Sequence, residues 1–424
     1  MDLRDTPGEA TLRSEIRGWL EANWRDGMDP NEWFTILADS GWAAPLWPEQ
    51  YGGRGASASE AIIFNQERQK IGADPPPRGI GVPMAGPTII QHGTEEQKER
   101  FLGPMLRGEE IWCQLFSEPG AGSDLAAIQT RAVLNENVWR VTGQKVWTTH
   151  AQLARWGILM ARHDPSLPKH AGITYFICDM QADGVEIVPL KEMTGEAIFN
   201  EVFLSDARVP HDNVIGDVHR GWGVAVTTLA HERNSLGASG MAGAAGGAII
   251  GRNDLSRRAG APAGGGGEMA GMAAAFGGGG DLVKTLPAAV GRSDDPILID
   301  KVMRIYTLME IARFTSLRVQ AAAAAGRGPG PEVSTGKLLA SQLVAHLRDV
   351  GLEALGAHGQ LMGDEDPLGG LLQQLALFSP AISIAGGSDQ IQRNIIGERV
   401  LGLPGEPRVD KDVPFSDLAV GTQR

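Results

Sequence analysis

The sequence predicts an α+β chain in three consecutive parts: an N-terminal α-helical domain over residues 1–111, a middle antiparallel β-sheet or barrel domain over 112–220, and a C-terminal helical bundle over 221–424. Three observations carry this. Apolar residues recur at helical spacing through the first 110 residues. After Trp112, β-branched and aromatic residues alternate with polar ones in short runs separated by turn residues. From Gly221 the helical period returns. Strands grouped together, rather than alternating with helices, argue against βαβ units. With 42% hydrophobic residues in 424, the chain has the means to bury real cores.

The elements follow in order. Leu12, Ile16, Trp19 and Leu20 mark a helix from Ala10 to about Asn23, and further helical stretches cover Pro30–Ser40 and Ser59–Ile71. A Gly/Pro loop spans Ala44–Gly55. In GTEEQKERFL, Thr94 reads as an N-cap and Gln97 as its capping-box partner. TRAVLNENVWRVTGQKVWTT reads as two strands around a turn at residues 135–137, with further strands at Ile173–Met180, Val185–Glu192 and Asn200–Pro210. Val302, Ile305, Tyr306, Met309 and Ala312 trace one helical stripe, and Leu338–Leu355 and Ser388–Leu401 carry others. Glycine is abundant, 57 residues, and ten of them fall within residues 260–280, which reads as a flexible insertion between bundle helices.

Composition excludes several classes. Lys and Arg number 38 against 51 Asp and Glu, a net charge of −13, which argues against nucleic acid as a partner but not against a small anionic ligand held by a local basic cluster. Two cysteines, Cys113 and Cys178, cannot make a disulfide framework or a cysteine-rich metal site, so a cytoplasmic location is expected. The charged N-terminus lacks an apolar signal core, and no run suggests a membrane span. His150, His231 and His358 are isolated from one another, so no metal site is expected. Asp364, Glu365 and Asp366 read as a solvated acidic turn, and Cys113 as buried packing at a strand edge.

Three motifs remain. In SEPGAGSD (117–124), Gly120 and Gly122 allow close backbone approach to a ligand and are free to adopt left-handed conformations. The stretch lacks the third glycine and the βαβ setting of a dinucleotide fingerprint, and alone it reads equally as a tight turn. In GQKVWTTH (143–150), Trp147 and Thr149 would share one face of an extended strand, the indole covering an aromatic cofactor and the hydroxyl bonding a ring heteroatom; a core Trp beside a sheet-forming Thr is the plainer alternative. In GGSDQIQRNIIGERV (386–400), two glycines and Ser388 precede an amphipathic helix whose free N–H groups suit phosphate oxygens or an ordinary N-cap.

Taken together and in this order, the three resemble the signatures of the acyl-CoA dehydrogenase family over nearly the whole chain. The resemblance implies a helical domain, a β domain and a four-helix bundle, with FAD held between the last two and completed by a neighbouring subunit. It implies that Phe116, Ser117, Gly122 and Ser123 line the flavin, that Trp147 packs on the ring beside Thr148, and that the Thr149 hydroxyl lies near N5. Ser388 and Gln390 match contacts to the phosphate and adenosine end, and Gly356, Ala357, His358 and Gly359 match the loop reaching a partner's adenosine. The family's Arg-x-x-Phe-Gly pyrophosphate motif is absent, and Arg292 is the candidate to replace it.

The reaction implied is α,β-desaturation of an acyl-CoA thioester: a carboxylate removes the α-proton while hydride passes from Cβ to the flavin. Many members place the glutamate base directly before the Gly-Thr/Ser pair of the C-terminal signature; here that residue is Gly386. A minority, including isovaleryl- and long-chain-type enzymes, use a glutamate before an arginine in the first bundle helix, and AHERNSLG supplies Glu232 and Arg233. Glu232 is therefore the expected base and Arg233 a substrate-positioning neighbour, with Gly386 freeing room for a branched or bulky acyl group. The partners implied are an electron-transfer flavoprotein or similar acceptor and further copies of the chain, as a homodimer or homotetramer, or a second subunit type. Two other readings stand beside this one: a flavin monooxygenase or oxidase on the same fold, and a subunit that completes the FAD site of a heteromeric dehydrogenase.

Overall fold

The computed structural model describes residues 5–238, 281–324 and 330–419 apart from 78, 364, 365, 367, 406, 408 and 409. The glycine-rich stretch 260–280 lies outside the described residues, as do Asp364 and Glu365 of the expected acidic turn. Five helices open the chain: α1 (Pro7–Asn23), α2 (Pro30–Asp39), α3 (Ala58–Lys70), α4 (Gly86–His92) and α5 (Glu95–Leu106). Local chemistry sets three of their starts. Thr6 with Glu9, Ser57 with Glu60 and Thr94 with Gln97 each form a reciprocal capping box that satisfies otherwise unpaired N–H groups. Their apolar faces meet in an aromatic-rich core where Trp42 stacks flat on Phe64 at 4.3 Å between ring centroids.

Seven strands follow: β1 (Trp112–Leu115), β2 (Arg131–Asn135), β3 (Val138–Lys145), β4 (Trp156–Arg162), β5 (Ile173–Asp179), β6 (Val185–Pro189) and β7 (Asn200–Pro210). Antiparallel pairing dominates, with β2–β3, β3–β7, β6–β7 and β4–β5 all of that kind. The departures are at β4, where β1 pairs in parallel along its first half and β2 touches its last residue, also in parallel. β1 and β2 therefore share one edge of β4, and the segment between them, which contains residues 117–124, has to cross over rather than make a hairpin.

One buried ion pair pins that crossover. On β3, Trp139, Val141 and Lys145 are buried, and the Lys145 ammonium is wholly enclosed. It donates to Glu118 at 2.8 Å and to the Phe116 carbonyl at 3.1 Å. The Glu118 carboxylate also accepts the Gln129 N–H at 2.6 Å and the Thr130 N–H at 3.0 Å. Burial pushes the Glu118 carboxyl up, but Lys145 and the backbone donors outweigh it and hold it below its ordinary value.

Among the described residues, the last part holds α6 (Gly221–Ala238), α7 (Asp281–Ala289), α8 (Pro296–Ala324), α9 (Val333–Leu355), α10 (Leu371–Ile384) and α11 (Asp389–Ile395). Val302 and Ile305 of α8 pack with Leu343, Val344 and Leu347 of α9 and Leu372, Leu375 and Phe378 of α10 in a second core, with Tyr306, Met309 and Ala312 along its margin. The start of α6 belongs elsewhere: Val224 and Ala225 are buried in the first core, with α1–α5 and one face of the sheet. Among the described residues, no helix is long and apolar enough to cross a membrane.

Two consequences follow for stability. Glu67 of α3, fully buried, accepts from Arg13 and Arg17 of α1 and from Lys70. Burial alone would raise its pKa, but the hydrogen bonds from Arg17, Lys70 and Arg13 prevail and hold it at about 2. The folded value lies below the unfolded one, so the stabilisation is complete above about pH 5 and is lost as pH falls towards about 2. Glu67→Gln should cost about 2 kcal/mol at pH 7, and its deficit in melting temperature against the parent should shrink steadily on acidification. Replacing Lys145 by Met strands the Glu118 charge and should cost about 3–5 kcal/mol by denaturant unfolding, whereas Lys145→Met with Glu118→Leu should recover most of that loss.

Candidate active site

The first two motifs are stitched together by the backbone. Glu118 and Ala121 exchange N–H···O bonds at 3.0 Å each way, closing a tight turn over Pro119 and Gly120. Val146 N–H donates to the Ser117 carbonyl at 2.9 Å, so the chain leaving β3 runs beside the chain leaving β1. Thr148 then exchanges backbone bonds with Asn200 of β7, at 3.1 and 3.0 Å. Phe116 is buried, Ser117 half-buried, and Gly122 and Ser123 exposed, with open space where a Cβ on Gly122 would stand.

The extended strand expected through Trp147 and Thr149 is not what forms. β3 ends at Lys145, and Trp147 takes a left-handed φ of 61°, so strict alternation breaks there. The turn leaves Trp147 61% exposed, braced edge-on by Phe199 at 5.8 Å, while Thr148 is buried and Thr149 half-buried. The Thr148 hydroxyl is enclosed without a hydrogen-bond partner. The exposed indole thus stands on a rare backbone conformation, next in sequence to a buried hydroxyl with unused hydrogen-bonding capacity.

The third motif meets the first. Ser388 caps α11 by accepting the Ile391 N–H, and its hydroxyl lies 3.5 Å from that of Ser123. Gly386 and Gly387 are both left-handed, at φ 65° and 86°, and the Gln392 amide donates back to their carbonyls at 2.9 and 3.3 Å. Lys337 of α9 holds Asp389 at 2.9 Å, while Gln390 faces solvent. A glutamate at 386 would be strained on this backbone, so the loop is shaped for the glycine it has.

Gly356, Ala357, His358 and Gly359 form a short turn at the end of α9, with Gly356 at φ 57° and the His358 carbonyl accepting from Gln373 at 3.0 Å. Arg292 serves that turn. One of its terminal nitrogens donates to the Glu353 and Ala354 carbonyls at 2.9 and 3.2 Å, and the other pairs with Asp295. This cluster sits at the far end of α9 from Lys337, about 24 Å along the axis at about 1.5 Å per residue, so the structure does not bring it to the Ser123–Ser388 contact.

Glu232 lies on α6, and its carboxylate accepts from the side chain of Gln114. Along β1, Cys113 and Leu115 enter the sheet's own core while Trp112 and Phe116 face the first core, so Gln114 and Phe116 share a face. Glu232 is thereby tied to the strand that runs into the first motif. Burial pushes its pKa up, against the opposing effects of the Gln114 hydrogen bond and the Arg233 charge. Burial likewise lowers the pKa of Arg233, with Glu232 opposing and Arg399 adding to the shift. His231 is lowered by burial and by nearby His92, whose Nε2 lies 2.9 Å from the Thr227 hydroxyl.

Sequence reading missed Glu118, Lys145 and Gln114. For Lys145 a signal existed: it shares parity with Trp139 and Val141, which places a lysine on an inward face that demands an acid. Gln114 had none, because its partner is 118 residues away.

Comparison with known proteins agrees with this architecture. The N-terminal, middle and C-terminal domain models of the acyl-CoA dehydrogenases match residues 5–109, 113–207 and 263–401. The chain is 39% identical over 375 residues to acyl-CoA dehydrogenase FadE34 of Mycobacterium tuberculosis, covering 87% of this chain but only 46% of that protein. It is 34% identical over 416 residues to acyl-CoA dehydrogenase IpdE1 of the same organism, covering 94% of this chain and 98% of IpdE1. Among solved structures, the Tcur3481–Tcur3483 steroid ACAD aligns at TM-score 0.72 and 26% identity, over 96% of this chain and all of that one. The ChsE4–ChsE5 complex of M. tuberculosis aligns at 0.70 and 28%, over the same shares. With all three of its parts matched and a full-length relative above 30% identity, the chain belongs to the acyl-CoA dehydrogenase family.

Proposed function

We propose that this chain binds FAD and desaturates an acyl-CoA thioester between Cα and Cβ, with Glu232 taking the α-proton. The observation that carries the reading is the placement of Glu232 against Gln114, on the same strand face as Phe116, with burial raising its pKa. A carboxylate whose pKa is raised binds a proton more strongly than an exposed glutamate and acts as a base closer to neutral pH.

The residues present fit the cofactor. Trp147 offers an uncovered aromatic face, the Thr148 hydroxyl is enclosed without a partner, Gly122 borders open space, and the Ser123 and Ser388 hydroxyls lie 3.5 Å apart. Phe116, Ser117, Gly122, Ser123, Trp147 and Thr149 would hold the ring system, and Ser388 and Gln390 the phosphate and adenosine end. The chemistry FAD supplies when bound is acceptance of the hydride that leaves Cβ, so the proton goes to Glu232, the electron pair to the cofactor, and a C=C bond remains. A separate acceptor such as an electron-transfer flavoprotein would then carry the electrons away. Arg233, its charge opposed by Arg399 and balanced by Glu232, places the substrate and keeps the carboxylate ionised when the base is needed.

Two refinements belong to the same proposal. The structural relatives include one described as a steroid ACAD, and Gly386 leaves the C-terminal signature without a side chain at the position before Gly387 and Ser388, so the acyl group is proposed to be branched or polycyclic. The relative FadE34 is about twice the length of the match, the ChsE4–ChsE5 structure is a complex of two chains, and the Arg292–Gly356 cluster stands at the opposite end of α9 from Ser388. These favour a neighbouring subunit, identical or not, that completes the cofactor site through the 356–359 turn.

Purification and a visible spectrum test the first step: the holoprotein should be yellow and bleach anaerobically with a branched or steroid-derived acyl-CoA. A colourless chain that becomes yellow only with a second polypeptide would shift the assignment to the heteromeric form. Glu232→Gln should retain FAD while losing about 10²–10⁴-fold in the rate of bleaching. The pH profile gives the sign. The base must be ionised, so kcat/KM falls as pH drops through the Glu232 pKa, at a higher pH than for an ordinary glutamate. Gln114→Leu removes a hydrogen bond that favours the carboxylate and should move that limb upward again; a downward or absent shift would refute the Gln114 contact.

A further inference from the structure

A chain of buried hydroxyls joins all three parts of the molecule one helical turn from Glu232. Thr228 of α6 is fully buried. Its Oγ1 lies 3.0 Å from the Tyr175 Oη on β5 and 2.9 Å from the Thr88 Oγ1 on α4, and Thr88 in turn lies 2.8 Å from the Met84 carbonyl. The protons can be assigned without conflict: Tyr175 donates to Thr228, Thr228 to Thr88, and Thr88 to the Met84 carbonyl. Every hydroxyl then donates once and, between the ends, accepts once, leaving no unpaired group in this buried chain. The Val224 carbonyl, 3.2 Å from Thr228, is a second acceptor within α6 itself.

The same helix is fixed at its start. A Cβ on Gly221 would fall 2.6 Å from the Thr174 carbonyl carbon and 2.7 Å from the Tyr175 nitrogen, so α6 begins in direct backbone contact with β5. Two anchors on one strand, at Gly221 and at Thr228, set both the rotation and the axial position of the helix. Residue 232 is four positions beyond 228 and projects from the same face, about 6 Å further along.

We propose that Thr228 is a positioning residue for Glu232, and that the Tyr175–Thr228–Thr88 hydroxyl chain aims the base by locking α6 to the sheet and to the N-terminal helices. This rests on the assignment of Glu232 as the base. Burial keeps the Tyr175 phenol protonated far above the assay range, so Tyr175 is a constant donor and not itself the source of a pH limb.

Thr228→Val keeps the shape of the side chain and removes its hydroxyl, whereas Thr228→Ser keeps the hydroxyl. In the FAD-loaded enzyme, Thr228→Val should lower kcat about 10–100-fold, with KM for the acyl-CoA within about twofold and flavin content unchanged. Its acid limb should also move relative to the parent, because Glu232 shifts against Gln114. Thr228→Ser should restore most of kcat and the parental limb, which a purely volumetric role would not predict. Tyr175→Phe removes the first donor while keeping the ring, and should lower kcat in the same direction; it serves where Thr228→Val does not fold. A readout apart from turnover is the difference in melting temperature between each variant and its Glu232→Gln derivative across pH, which reports the Glu232 pKa and should change in Thr228→Val but not in Thr228→Ser. Parental kcat and pH profile in folded Thr228→Val or Tyr175→Phe would overturn the proposal. Full activity in Glu232→Gln alone would instead overturn the assignment of the base, so the two failures are distinguishable.

Discussion

The buried contact between Lys145 and Glu118 is the constraint on which the site's geometry depends. A lysine with no solvent exposure is tolerable only if its charge is met, and here one carboxylate, itself held by two backbone N–H groups, meets it. Glu118 belongs to the crossover that β1's parallel pairing with β4 makes necessary, and Lys145 is the last residue of β3. The pair joins the end of a strand to the middle of a long connection. It decides where Ser117 runs, and through the Ser117–Val146 bond it decides where Trp147 starts its left-handed turn. A purely apolar contact would leave both segments free to slide; two ions in a dry site with several fixed donors do not slide.

A second consequence concerns α6. By sequence it opens the bundle, yet its first turns are packed into the core shared by the N-terminal helices and the sheet. That placement puts a carboxylate from the third part of the chain against a strand of the second, close to the hydroxyls of the first. The chemistry proposed for Glu232 needs a rigid base partly shielded from water, and a half-buried place on α6 at a three-way junction suits both demands. Burial raises the pKa while the Gln114 amide limits the rise, a balance between two opposing effects in which neither alone would serve.

Much of this was legible in the sequence where the determinants are local. Thr94 and Gln97 cap α5 because the capping box needs only residues three apart. The turn at residues 135–137 forms the expected hairpin between β2 and β3 because Ala132 and Leu134 pair register with Val141 and Trp139 across it. What was hidden is non-local. The parallel β1–β4 pairing joins residues 44 apart, and nothing in WCQL announces a direction. The left-handed Trp147 could not be read from GQKVWTTH, whose β-branched residues argue for a straight strand. It is enforced from outside, by Ser117 on one side and Asn200 on the other. Gln114 was invisible for the same reason, since a glutamine on a strand has no meaning until α6 is laid across it.

The glycines at 386 and 387 show how such non-local effects exchange roles between positions. A left-handed backbone at 386 disfavours any side chain there, so under the proposed reading the base is Glu232 instead, and the helix that carries it has to be held as accurately as a loop residue is held by its own turn. A residue on a loop is placed by its own turn; a residue 11 positions into a helix is placed by whatever anchors the helix. The close approach at Gly221 and the hydroxyl chain through Thr228 are anchors of that kind, one steric and one polar, both on β5. A base on α6, as proposed, places the demand for precision on the junction between helix and sheet rather than on the C-terminal loop. The buried polar groups of that junction are where the demand is met.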